Sequence, residues 1–315
     1  VLPLRWRDDL GCKELADYLA RLAEVCDEII VIDGSPESVF TANERAFGHL
    51  VLHVAADQQA PGQMRKVPAV MAGVRLASHE AIVIADDDVR YEPVALIRAV
   101  RLLGTADLVR PQNYFEPLPW HARWDTARTL LNRAIGADFP GTLAIRRSRL
   151  LAIGGYDPDV AFENLELIRT IRASGGQVRS PLDLYVRRLP PSTSHFVAQR
   201  TRQAYEDFAM PARMICWLAI LPWLVVFAQD RRKTLLALGG GAIALAECGR
   251  RRWDGRRVFP FTSSLLAPAW LFERSVCAWL AVLARLRFGG IRYHENVIFT
   301  AANSTRTLRK RMRGS

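Results

Sequence analysis

The sequence predicts an α/β fold, a Rossmann-like mixed sheet flanked by helices, followed by C-terminal apolar helices of membrane-associated type. Three observations carry this. Short aliphatic and β-branched runs alternate with stretches of helical periodicity through the first two hundred or so residues. Two of those runs, Glu28-Ile29-Ile30-Val31-Ile32 and Ile82-Val83-Ile84-Ala85, end in acidic residues. Beyond Pro211 the texture changes to long apolar runs separated by blocks of arginine.

Val1-Leu2-Pro3-Leu4 reads as the end of a first strand, and Arg5-Trp6-Arg7-Asp8-Asp9 as the loop after it. Leu15, Tyr18, Leu19 and Leu22 recur at helical spacing, so an amphipathic helix is predicted over about 13–25. The strand ending at Ile32 runs into the turn Asp33-Gly34-Ser35-Pro36. This βαβ start puts Asp33 at a strand's carboxyl end, where a ribose or base can be hydrogen-bonded. A third strand is predicted at 50–54 and a helix over about 67–77, preceded by Gln63-Met64-Arg65-Lys66. Pro93 suits the first turn of the next helix, whose apolar positions are Val94, Ile97 and Val100. Another strand starts at Leu108-Val109, and a helix is predicted over 120–137. Residues 138–145 run from a loop into a strand, and Gly154-Gly155-Tyr156 is a turn. Phe162-Glu163-Asn164-Leu165-Glu166-Leu167 opens a helix that stops at Gly175-Gly176. Leu165, Ile168 and Ile171 form its core side, with Glu163 and Glu166 in its first turn.

The acidic stretch Asp86-Asp87-Asp88 is the sharpest chemical signal. Carboxylates crowded at the end of a buried strand repel one another unless a cation is present. Oxygen-only ligands favour Mg²⁺ or Mn²⁺, which commonly share their coordination with substrate phosphates. The residues alone thus point to a metal–diphosphate site at a sheet edge, against the plainer reading of solvated loop charges.

The length of 315 residues suits more than one minimal domain. Half the residues are hydrophobic (50%), and the mean hydropathy is +0.02. The net charge of +11 fits nucleic acid, anionic lipid or an anionic small substrate. Much of the excess lies beside apolar runs, in Arg231-Arg232-Lys233, Arg250-Arg251-Arg252, Arg256-Arg257 and Arg309-Lys310-Arg311 with Arg313. That placement points to an anionic membrane surface rather than to nucleic acid, for which no zinc-finger or basic-aromatic motif is present. The five cysteines are scattered without a C-x-x-C pair, which suggests free thiols in a reducing compartment. No signal peptide is visible, and the opening inside a strand suggests that an initiator region precedes it.

The apolar segment 212–228 carries Trp217 and Trp223 as candidate interface anchors. Segment 234–248 is short, and Gly239-Gly240-Gly241 weakens it as a helix. Both lie at or below the spanning limit, so they form a thin hairpin or lie in the interface. Segment 265–286 is interrupted by Glu273-Arg274 and reads as an interfacial helix.

In order and spacing these motifs resemble the family-2 inverting glycosyltransferases of the GT-A fold, particularly the membrane-attached ones, over about residues 1–208. Asp33 in Val-Ile-Asp-Gly-Ser matches the nucleotide-contacting acid, Lys66 the basic position before the DxD strand, and Asp86-Asp87-Asp88 the DxD motif. Gly154-Gly155-Tyr156 followed by Phe162-Glu163-Asn164 matches the Gly-Gly-aromatic then Glu-Asp pattern. Gln199-Arg200-Thr201-Arg202-Gln203 looks like the QxxRW element. Two departures stand out: Asn164 stands where the family has the aspartate that is its usual general base, and Gln203 replaces its tryptophan.

The resemblance implies a membrane-associated transferase acting with inversion by metal-assisted single displacement. The donor would be a UDP- or GDP-sugar and the acceptor a lipid or lipid-linked hydroxyl. Asp88 and Asp86 would hold Mg²⁺ or Mn²⁺. Pro3, Arg5, Asp33, Lys66, Asp86, Asp87, Gln199 and Arg202 would contact the donor, with Trp6 bordering the base pocket. Glu163 would be the general base, with Glu166 as the alternative. The expected domains are 1–208 (a nucleotide-sugar half to about 110 and an acceptor half beyond it), apolar helices over 209–290 and a basic tail over 291–315. The catalytic domain is expected on the cytoplasmic face of the cell membrane. A nucleotidyltransferase on a similar fold and an inactive membrane scaffold remain as alternatives.

Overall fold

The computed structural model describes residues 1–226, 231–293 and 296–314. In chain order the strands are β1 (Leu2–Leu4), β2 (Ile30–Asp33), β3 (Leu52–Ala55), β4 (Ala81–Ala85), β5 (Val89–Arg90), β6 (Leu108–Val109), β7 (Gln112–Phe115), β8 (Thr142–Arg146), β9 (Val178–Arg179), β10 (Tyr185–Arg188), β11 (Ile291–Tyr293) and β12 (Asn296–Ile298). The α-helices are α1 (Cys12–Ala23), α2 (Glu37–Phe47), α3 (Lys66–Leu76), α4 (Pro93–Leu102), α5 (Trp120–Ile135), α6 (Arg147–Ala152), α7 (Glu163–Ala173), α8 (Thr193–Ala198), α9 (Arg200–Tyr205), α10 (Pro211–Val226), α11 (Arg231–Arg251), α12 (Phe261–Leu265), α13 (Ala267–Phe288) and α14 (Thr305–Gly314). They fall into two compact units. The first comprises Val1–Pro111, Phe139–Arg187 and Ser304–Ser315, and the second Gln112–Asp138 and Arg188–Asn303. Contacts thus group 112–138 and 188–208 with the apolar helices and return the end of the basic tail to the first unit, boundaries that no local composition marks.

The first unit holds the sheet. Strands β1, β2 and β3 pair in parallel, with Leu4 opposite Asp33 and Asp33 opposite Ala55. The Val1 nitrogen donates to Val83 O (2.8 Å) and Ala85 N–H donates to Val1 O (3.1 Å), which joins β1 to β4. Beyond β4 the order is β8, β6, β9, with β8 antiparallel to both β4 and β6. The sheet is therefore mixed, as the resemblance to GT-A enzymes implies. Cys12, Leu15, Tyr18 and Leu19 of α1 close one core with Leu2, Leu4, Val31 and Phe47. On α7, Leu165, Ile168 and Ile171 are all buried, as their spacing requires.

Helix α4 reverses one expectation. Val94, Ile97 and Val100 are 79%, 45% and 37% exposed, whereas Leu96, Ala99 and Leu103 pack into the core with Val89, Val109 and Ala144. The helix is apolar on two faces, so periodicity alone does not choose between them. The packing partners on the sheet do.

The second unit is mainly helical: α11 packs along α5, and α13 along α9 and α10. The α10 helix covers most of the apolar segment expected over 212–228, and residues 227 and 228 lie outside the described residues. Trp217 turns inward against Trp270 (ring centroids 6.0 Å), so of the two expected anchors only Trp223 is exposed. Gly239-Gly240-Gly241 does not break its helix, because α11 runs unbroken for 21 residues and is held by its neighbours.

The charged pair in α13 points into the unit. Arg200 pairs with Asp125 (2.6 Å) and Glu273 (2.7 Å), and Arg274 pairs with Asp207 (2.8 Å). Among the described residues only α13 is long and apolar enough to cross a membrane, and α10 is apolar but shorter.

Gly249 permits the close approach of α11 to α5. A Cβ there would lie 1.9 Å from Leu130 O and 2.8 Å from Ala134 N, both backbone atoms that cannot yield. Gly249→Ala is expected to destabilise the protein by about 3 kcal/mol, the upper range for overpacking, read as a lowered urea midpoint.

Candidate functional site

The acidic turn sits where β4 ends. Asp86 N–H donates to Gly141 O (2.9 Å) and Val89 N–H to Asp86 O (3.1 Å), so 86–88 form a tight connection between β4 and β5. Each carboxylate has its own setting. The Asp86 carboxylate contacts the Lys66 ammonium. The Asp87 carboxylate accepts from the Trp6 indole, and its carbonyl accepts from Arg90 (2.6 Å). Asp88 Oδ1 is buried.

Lys66 opens α3 and is the centre of the site. Its ammonium bridges Asp86 and Glu163, at 2.6 Å from Glu163 Oε1. Burial works against the charge on Lys66, but the two carboxylates outweigh it and hold its pKa above the ordinary lysine range. The loop after the glycine pair fixes the entry to α3: Pro158 O accepts from Met64 N–H (2.8 Å) and Asp159 Oδ1 from Gln63 N–H (2.9 Å). Gly154 and Gly155 have φ of +72° and +90°, a left-handed turn that suits glycine. Next to them Tyr156 is buried beside the Lys66 cluster, and burial pushes its hydroxyl pKa up.

Glu163 begins α7, where the helix dipole favours an anion. Asn164 is accounted for by packing: its side-chain amide donates to Pro140 O (3.1 Å), a bond that an aspartate cannot make. Glu166 is fully buried, which removes it from reach of a substrate.

Asp33 departs from the expected role. It is 1% exposed, and its carboxylate accepts from Ser35 N–H (2.8 Å), Asn43 (2.8 Å) and the His53 ring (3.1 Å). Burial opposes its ionisation, but these bonds outweigh it and hold the pKa low. With the carboxylate committed inward, Asp33 fixes the strand ends rather than offering an open oxygen. His53 also contacts Glu44 (2.5 Å) and stacks on Phe40 (4.3 Å). Sequence reasoning missed His53, Asn43 and Glu44. Asn43 and Glu44 lie on α2, whose start is signalled only by Pro36 and Glu37.

Pro3 is half-buried inside β1, opposite Ile32, and Arg5 is exposed. Trp6 links two expected regions, because its N–H donates to Ser35 Oγ (2.9 Å) and its indole to Asp87. Gln199 and Arg202 belong to the second unit. There Gln199 contacts His195 (2.7 Å) and accepts from Arg202 (3.0 Å).

The mannosyltransferase PcManGT from Pyrobaculum calidifontis, solved with GDP-Man and Mn²⁺, matches this structure with a TM-score of 0.54 and 19% identity, over 88% of this chain and 86% of that one. The fold is that of GT-A-type glycosyltransferases. Glucosyl-3-phosphoglycerate synthase from Mycobacterium tuberculosis, solved with Mn²⁺, UDP-Glc and phosphoglyceric acid, is more distant. Its TM-score is 0.43 at 18% identity, over 64% of this chain and 76% of that one. No protein-family profile and no curated protein matches the chain.

On this GT-A fold the acidic turn fits a hard divalent cation. The donors are carboxylate oxygens, with no histidine or cysteine in the turn. Among the described residues no group of three or more His, Cys, Asp or Glu could hold a metal by itself. Hard divalent ions commonly complete their coordination with substrate phosphates and water.

Two outcomes are expected here. Burial lowers the pKa of His53, but Asp33 and Glu44 outweigh it and the net shift is upward. The resulting stability is fully present below about pH 6.5 and is lost as pH rises through the raised value. Urea melts of wild type minus those of His53→Asn should therefore decline above about pH 6.5, by at most about 1.4 kcal/mol per pH unit; a flat difference refutes the charged pair. Asn164→Asp should cost about 1–3 kcal/mol in the same melts, by placing a carboxylate against the Pro140 carbonyl.

Proposed function

We propose that the chain is a membrane-associated glycosyltransferase that moves a sugar from a nucleoside-diphosphate donor to an acceptor hydroxyl, with inversion. The observation that carries this reading is the Lys66–Asp86–Glu163 cluster beside the acidic turn, on a GT-A fold. The GDP-Man and Mn²⁺ in PcManGT support a GDP- or UDP-sugar donor and a divalent cation for this chain as well.

Asp88, with Asp86, would hold Mg²⁺ or Mn²⁺, which when bound neutralises charge on the leaving diphosphate. The residues of this chain do the rest. Lys66 supplies a fixed positive charge beside the diphosphate and keeps Asp86 and Glu163 together. Trp6 and Asp87 brace the loop after β1 against the acidic turn, and Pro3 and Arg5 are proposed as donor contacts. Glu163 takes the acceptor hydroxyl's proton, for which its contact to Lys66 must loosen.

Exposed apolar residues on the second unit support membrane attachment and a lipid or lipid-linked acceptor. Phe272, Trp279, Leu283 and Leu286 of α13 are 53%, 40%, 58% and 79% exposed, and Leu235 and Leu236 of α11 are 54% and 67% exposed. Such a surface fits helices lying in a bilayer interface; the cytoplasmic face of the cell membrane is part of the proposal.

The test is a thermal-shift screen of detergent-purified protein against UDP-, GDP- and dTDP-sugars with and without Mn²⁺. One nucleotide class at about 100 times its Kd should add about 2.7 kcal/mol of stability. Asp88→Asn should lose the Mn²⁺-dependent part of that shift. Glu163→Gln should keep donor binding while turnover falls by about 10²–10⁴-fold. Absence of any shift with every donor would sink the transferase reading, and near-normal turnover by Glu163→Gln would sink the base assignment alone.

A further inference from the structure

Helix α14 carries a charged surface that donor chemistry does not use. Helix α14 has Leu308 buried and Met312 half-buried, and it packs along α7 within the first unit. The opposite face is cationic. Arg306, Arg309, Lys310 and Arg313 follow the spacing i, i+3, i+4, i+7 that places side chains on one side of a helix, and all four are exposed. Among the described residues these four line a shallow depression of about 300 Å³. The remaining cation, Arg311, is spent differently: it pairs with Asp157 (2.7 Å) in the loop after Tyr156, which fixes which way the helix faces. The four outward cations lie within about 10 Å along the axis, close to the physiological screening length of about 8 Å, so their fields add.

We propose that this face of α14 is a docking surface for anionic phospholipid headgroups. The proposal rests on the membrane-associated reading above and names the contact that supplies its electrostatic part. Charge complementarity selects the partner: clustered Arg and Lys on an amphipathic helix attract the anionic leaflet. Two features favour a bilayer over nucleic acid. The helix has no aromatic side chain on which a base could stack. The second unit exposes large apolar residues, which a lipid interface accommodates and a nucleic-acid backbone does not. Arg311 is excluded from the headgroup contact, because its guanidinium holds the helix to the Asp157 loop.

Co-sedimentation of the full chain with vesicles tests this. The vesicles are phosphatidylcholine alone, or phosphatidylcholine mixed with phosphatidylglycerol. Wild type should bind the mixed vesicles more tightly, and added NaCl should weaken that preference. Replacing Arg306, Arg309, Lys310 and Arg313 together with alanine should weaken binding to mixed vesicles by about fivefold per cation, at least about a hundredfold in all. A charge-keeping variant, Arg306→Lys with Arg309→Lys and Arg313→Lys, should bind as wild type does. If the alanine variant binds mixed vesicles like wild type, α14 is not the contact while membrane attachment stands. If wild type binds neither kind of vesicle, the membrane reading fails with it. Loss of binding in the lysine variant would overturn the role of charge. Release of the vesicles by duplex DNA at equal phosphate concentration would assign the face to nucleic acid instead.

Discussion

The candidate site depends on one ammonium group. Asp86 and Glu163 come from different parts of the chain, and both contact Lys66. Two carboxylates that touch one ammonium lie within about 5 Å of each other, where unit charges repel by about 3 kcal/mol at an effective dielectric near 20. Lys66 turns that repulsion into attraction. Its own placement is determined in turn by the loop that follows Gly154-Gly155, through bonds to Gln63 and Met64. The glycine turn, the start of α3, the end of β4 and the start of α7 thus form one mechanical assembly. Fold and site are hard to separate here, because the residues that anchor the helix starts also set the charges.

The sequence was most legible where local chemistry and global packing agree. The β1–α1–β2 start, the strand ending at Ala85 and the helix opened by Glu163 all appear within a few residues of their expected bounds. Legibility failed where two local solutions were equally good. In α4 both faces are apolar, and only the sheet beneath it selects Leu96 and Ala99 over Val94 and Ile97. It also failed where partners are distant in sequence. Nothing in the spacing of Asp33 and His53 announces that they meet, because parallel pairing of β2 with β3 brings them together. Asn164 is an instructive middle case: the sequence marks it as a departure, and only its bond to Pro140 explains what the amide does.

Helix α13 departs from the usual arrangement of a water-exposed helical bundle. Surface helices ordinarily turn charges outward and apolar residues inward. Here Arg200, Asp207 and Arg274 are buried in ion pairs, whereas Phe272, Leu283 and Leu286 face outward on the helix that carries Arg274. Buried pairs of this kind contribute little net stability, because desolvation offsets most of the attraction. They do fix the rotation of α13 about its axis, since any other rotation would leave an unpaired charge inside.

The first unit is discontinuous in sequence: α14 reaches α7 only after the whole of the second unit has been traversed. During synthesis, domains generally begin to fold from the N-terminus as they emerge. For this chain the outer face of α7 stays bare until residues 304–314 have left the ribosome. By then the apolar helices have already emerged and are free to meet a chaperone or a bilayer. The first unit is therefore completed late, when α14 covers α7 of the half that was begun first.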